Sequence, residues 1–186
     1  FEEVKTKKPK ASETTEAEDI LDPVPTKRPV TKTVYNQLIL DFAKDGLRFV
    51  LRAYEDGFAY RFEGSKNGLI TVNHETLNIN FPEGTRVLFP EEESLNSHFE
   101  RYYQDRQIQD LAEDAFCSLP VLFQSVDGTS VLFTETDVYD YPALFLKKTG
   151  NELELTSKFP KVVKKAIPLP DYPDRSQIIK ETEDYI

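Results

Sequence analysis

The sequence predicts a mainly β protein, folded as an antiparallel β-sandwich. Short apolar runs alternate with polar residues at period two, as half-buried strands require. Asp-Gly and Gly-Asn turn signatures recur between those runs. Almost no segment carries helical periodicity, and nothing repeats at a fixed spacing, which argues against a propeller or solenoid.

Residues 1–33 hold Lys-Thr-Lys-Lys-Pro-Lys, Ser-Glu-Thr-Thr-Glu, Pro23, Pro25 and Pro29, with little apolar periodicity. They predict an extended arm or loop leading into the sandwich domain, 34–186. Alternation begins at Tyr35, with Leu38, Leu40 and Phe42 facing one way. Leu47, Phe49, Leu51 and Ala53 repeat it, with Arg48 and Arg52 opposite. Glu55-Asp56-Gly57 then reads as a turn, because Asp-Gly tolerates positive φ. Phe58, Tyr60 and Phe62 return, so 47–63 predicts a hairpin.

Short strands follow at 69–72, 77–81 and 86–89, bounded by Gly, Pro or Asn. The stretch 91–113 fits a helix poorly and predicts an irregular excursion holding one helical turn. Strands at 119–124 and 130–134 flank Val126-Asp127-Gly128, and strands at 143–147 and 152–156 flank Thr149-Gly150-Asn151. The tail, 168–186, holds three prolines and a charged stretch and is assigned no strand.

The 186 residues carry 33 acids against 23 Lys and Arg, a net charge of −10. Such a field repels a phosphate backbone, so nucleic acid is no partner. No stretch is long and apolar enough for a membrane span. The single cysteine, Cys117, lies in apolar Ala-Phe-Cys-Ser-Leu-Pro and reads as a buried, inert thiol. His74 and His98 are the two histidines, both in loop-like segments, which makes a catalytic triad or an epimerase acid–base pair a poor fit. Glu91-Glu92-Glu93 reads as a solvated charge run. No Walker, G-x-S-x-G or G-x-G-x-x-G motif occurs.

One segment is more informative. Val131-Leu132-Phe133 runs into Glu135, Asp137 and Asp140, with Tyr139, Tyr141 and Pro142 interleaved. Hard cations such as calcium want several oxygen ligands from a constrained backbone, and strand ends often carry functional side chains. From spacing alone, solvated acids at a strand end remain the stronger reading.

At this segment the chain resembles glycoside hydrolase family 97. The resemblance rests on Tyr35-Asn36-Gln37-Leu38, the 52–62 hairpin, Phe81-Pro82-Glu83, Leu119-Pro120-Val121 and Glu135-Thr136-Asp137-Val138-Tyr139-Asp140-Tyr141-Pro142, in order. It implies the amino-terminal domain of such an enzyme, a galactose-mutarotase-like super-sandwich, here incomplete. It also implies a catalytic (β/α)8 barrel after residue 186, which holds the catalytic carboxylates, so none is assigned to this chain. The family cleaves α-glucosidic or α-galactosidic bonds of oligosaccharide substrates and needs calcium. By matching position, Glu135 would be this domain's calcium ligand. A periplasmic location is implied by the same resemblance.

The chain departs from the family pattern in two ways. Leu21-Asp22-Pro23-Val24-Pro25 stands where a Trp-rich element is usual, and a strand pair before Phe1 and a segment after Ile186 are absent. Both predict a fragment. The competing expectation is a stand-alone carbohydrate-binding sandwich, with Tyr102, Tyr103, Tyr139 and Tyr141 as stacking platforms.

Overall fold

The structure, a computed structural model, describes residues 9–21, 31–64, 68, 71–136, 138–139 and 141–181. The chain divides into two compact units, Phe1–Ile70 and Thr71–Ile186.

The first unit is a four-stranded antiparallel meander of β1 (Lys10–Leu21), β2 (Thr31–Phe42), β3 (Leu47–Ala53) and β4 (Phe58–Gly64). The register sets Leu40 against Phe49 and Phe49 against Phe62, so one face is apolar. On that face the Phe49, Tyr60 and Phe62 rings lie 5.2–6.2 Å apart. On the other face Ile39 opposes Val50, which is buried. Polar pairs flank them there: Arg48 Nε on Asp41 at 3.1 Å and Arg52 Nε on Gln37 at 2.9 Å.

Two expectations change in this unit. Residues 10–21 are not loop but strand, pairing with β2 and broken by an irregularity between Thr14 and Ala17. An edge strand rich in Lys, Glu and Thr needs no apolar alternation, because its register comes from backbone pairing. The hairpin at 47–63 forms as expected, yet Gly57 does not adopt positive φ; the Tyr54 N–H bonds the Gly57 carbonyl at 2.8 Å instead. The turn that does use positive φ is the preceding one, at Gly46 (φ 71°).

The second unit is a sandwich of two antiparallel sheets. One contains β6 (Arg86–Phe89), β8 (Gln104–Gln107), β10 (Val121–Gln124) and β11 (Ser130–Phe133), in the order β11-β10-β6-β8. The other contains β5 (Asn78–Asn80), β7 (Glu91–Glu92), β9 (Phe116–Cys117), β12 (Phe145–Lys148) and β13 (Glu154–Lys158), in the order β5-β13-β12-β9-β7. Val87, Phe89, Val121 and Phe123 from the first sheet meet Cys117, Leu146 and Leu155 from the second in one buried cluster. Ile108, from the short 3-10 turn Ile108–Asp110, completes it. Each such side chain stabilises the fold by about 1.5–3 kcal/mol through burial.

The hairpins predicted around 126–128 and 149–151 are present. Of the strand expected at 69–72, residues 69 and 70 lie outside the described residues, and Thr71 and Val72 are not strand. The 91–113 excursion supplies β7, β8 and the 3-10 turn, so it belongs to both sheets. The tail also folds: β14 (Val163–Leu169) and β15 (Tyr172–Glu181) make a separate, largely exposed antiparallel hairpin. Its prolines are tolerated because a two-stranded ribbon has outer edges on both strands.

Candidate functional site

Glu135 lies just past β11, where the chain leaves the sheet and loops back to β12. The loop turns because Glu135 closes it. Both carboxylate oxygens accept the N–H of Leu144, each at 3.0 Å, and Leu144 is buried at the entry to β12. The single N–H is shared, which leaves each oxygen further acceptor capacity. The Glu135 side chain is half-buried. Burial pushes its pKa above the ordinary glutamate range; the Leu144 N–H opposes this, and the charge of Glu75 adds to it.

Glu75 comes from the irregular segment before β5. Its carbonyl accepts from the Ser157 hydroxyl of β13 at 3.3 Å. The same hydroxyl accepts the Leu77 N–H at 2.9 Å. The Glu75 carboxylate accepts the Tyr141 hydroxyl at 2.8 Å. Tyr141 packs edge-on against Phe159 at 5.9 Å. The loop that starts at Glu135 is therefore held at two points on its return limb, Tyr141 and Leu144.

Of the acids that accompany Glu135 in the sequence, Asp137 and Asp140 lie outside the described residues. Among the described residues no group of three or more His, Cys, Asp or Glu is placed to hold a metal alone. Glu75 and Glu135 are carboxylates, the donor type that hard cations prefer. Together they offer at most four oxygens, fewer than the roughly six to eight that calcium takes. The donor chemistry fits a calcium site whose remaining ligands come from elsewhere.

The aromatic candidates separate. Tyr102 is 96% exposed and Tyr139 82% exposed. Tyr103 donates its hydroxyl to the Pro120 carbonyl at 3.0 Å, and Tyr141 is engaged with Glu75. His74 and His98 are exposed in irregular segments. Cys117 is fully buried, and burial pushes its thiol up to about 12, so it is no nucleophile.

The acidic run at 91–93 differs from its sequence reading. Glu91 and Glu93 are exposed, but Glu92 is 4% exposed. Its Oε2 accepts from Arg101 Nε at 2.9 Å, while Oε1 has no hydrogen-bond partner of ordinary geometry. Burial raises its pKa, and the nearby Ser97 hydroxyl, Arg101 and the Ser118 hydroxyl more than offset this, so it stays below the usual carboxylate range. Alternation along β7 sends one glutamate inward, and three identical residues give no sign of which.

Neither Glu75 nor the Glu92–Arg101 pair was identified from sequence. Their partners stand 66 residues away, at Tyr141, and nine residues away, at Arg101.

An antiparallel sandwich with a half-buried carboxylate clamped at a strand exit defines an accessory β domain, with no complete catalytic constellation among the described residues. The chain belongs to the glycosyl-hydrolase 97 N-terminal family, whose model matches residues 2–186. It is 30% identical over 161 residues to a retaining alpha-galactosidase of Bacteroides thetaiotaomicron, across 82% of this chain and 24% of that protein. The chain thus spans about a quarter of that relative's length. It is a glycoside hydrolase domain.

Proposed function

We propose that this chain is the non-catalytic sandwich of a glycoside hydrolase cleaving α-galactosidic or α-glucosidic bonds, and that Glu135 is its ligand to a calcium ion shared with a catalytic (β/α)8 barrel. The carrying observation is Glu135 itself: half-buried, fixed by one backbone N–H, with acceptor capacity left on both oxygens. The name of the Bacteroides relative supports the α-galactosidic reading, and its greater length supports a further domain. Bound calcium would orient the substrate and stabilise developing negative charge. What this chain contributes is a pre-aimed carboxylate, whose clamp on Leu144 reduces the entropy lost on ligation. A periplasmic location for the whole protein belongs to the same proposal.

The test uses the full-length protein and p-nitrophenyl α-galactoside and α-glucoside. Hydrolysis of either should be abolished by chelator and restored by calcium. Glu135→Gln should weaken calcium binding and lower kcat. Unchanged activity and unchanged calcium affinity in Glu135→Gln would refute the assignment.

A second reading, a stand-alone sugar-binding module, is favoured by the exposure of Tyr102 and Tyr139. Exposed rings stack on sugars by burying apolar area. Calorimetry with galacto- and gluco-oligosaccharides on residues 1–186 separates the two: heat of binding without the barrel supports the module.

A further inference from the structure

We infer that Tyr141 and Glu75 are positioning residues for Glu135, tying its loop to the segment before β5 and setting a second carboxylate beside it. This rests on the reading of Glu135 as a cation ligand.

The geometry is a closed circuit. Glu135 opens the loop and binds the Leu144 N–H at 3.0 Å. Three residues before Leu144, Tyr141 donates its hydroxyl to Glu75 at 2.8 Å. Glu75 is anchored in turn through its carbonyl to Ser157 of β13, at 3.3 Å. Residue 77, two positions on, is fixed by the same hydroxyl at 2.9 Å. Phe159, just past β13, backs the Tyr141 ring at 5.9 Å. Both ends of the circuit are therefore built on the β12–β13 hairpin.

The electrostatics run against a purely structural role. Glu75 makes its neighbour harder to ionise, so its charge opposes that of Glu135. A hydrogen bond from Tyr141 stabilises the Glu75 carboxylate in place. Repulsion between two held carboxylates is relieved when a cation enters beside them, and the arrangement then strengthens binding. Partners that orient a metal's direct ligands usually affect affinity by about 10- to 100-fold.

The experiment is calcium titration calorimetry on the full-length protein stripped with chelator, for parent, Glu75→Gln, Tyr141→Phe and Glu135→Gln. Glu75→Gln should raise the calcium Kd by about 10- to 100-fold and Tyr141→Phe by about tenfold. The melting temperature without calcium should stay at the parent value in both variants. Unchanged Kd in Glu75→Gln and Tyr141→Phe, with binding lost in Glu135→Gln, overturns this inference and leaves the calcium reading standing. Parent-like binding in Glu135→Gln overturns the calcium reading and this inference with it. An affinity loss matched by collapse of the calcium-free melting temperature in both variants overturns the positioning role in favour of a structural one.

Discussion

Cys117 is the single cysteine, so a thiol reagent reads one position in the core. It lies in β9 among Val87, Val121, Leu146 and the rest of the buried cluster. Burial is the main cause that pushes its pKa from 9.0 to about 12; a backbone hydrogen bond from Leu146 opposes this, and the charges of Glu92 and Glu91 add to it. Three pH units cut the thiolate fraction at pH 8 by about a thousandfold, before any steric exclusion. The native chain should thus react with a chromogenic disulfide at least about a thousandfold more slowly than the urea-unfolded chain.

The same shift sets a pH dependence. Between 9 and 12 the unfolded thiol has lost its proton and the folded one has not. The unfolded state binds fewer protons there, so stability falls as pH rises. At pH 10 the loss from this group is about 1.4 kcal/mol. Urea melts of the parent and Cys117→Ala at pH 8 and pH 10 isolate it, because other groups titrate alike in both. The variant should lose less stability between the two pH values. Native Cys117 reacting like free cysteine, or parallel pH dependences, would refute the buried-core placement.

Removing Arg101 strips the buried Glu92 carboxylate of its ion pair, whereas removing Glu92 leaves an arginine that water still reaches. At pH 7, Arg101→Met should therefore destabilise more than Glu92→Gln in urea melts. In the parent, Glu92 contributes stability above its unfolded pKa, lost as pH falls through its lower folded value. In Arg101→Met burial is uncompensated, the glutamate protonates readily, and the deficit should shrink on acidification; a pH-independent deficit counts against the pair. Leu146 is fully buried between β13 and β9, so Leu146→Ala should cost about 3–4 kcal/mol. Leu132, 61% exposed on the edge strand β11, should cost under about 0.5 kcal/mol as Leu132→Ala. Equal costs by chemical denaturation would contradict the two-sheet core.

The strands that pattern exposed were those with one apolar face. Leu38, Leu40, Phe42, Phe49, Leu51, Tyr60 and Phe62 alternate because one side of the first sheet is apolar, and β2, β3 and β4 fall where alternation places them. Lys10–Leu21 and the β14–β15 hairpin escaped notice for the opposite reason. Their pairing is made by backbone hydrogen bonds, which leave no mark on side-chain identity.

The candidate site divides the same way. Glu135 was legible because its strand-exit position sits inside a run of family-like residues. Glu75 and the inward Glu92 were not. A carboxylate in a sequence looks the same whether it is solvated, clamped or buried, and its fate depends on which distant hydroxyl or guanidinium meets it. The amino-acid order alone determined the β class, most of the turns and the family. Only tertiary structure decided that Tyr141 reaches Glu75 across 66 positions, and that Cys117 and Glu92 are buried while Tyr102 and Tyr139 are not. Periodicity is a local property of the chain, whereas burial and partnership are set by sheets that close over one another.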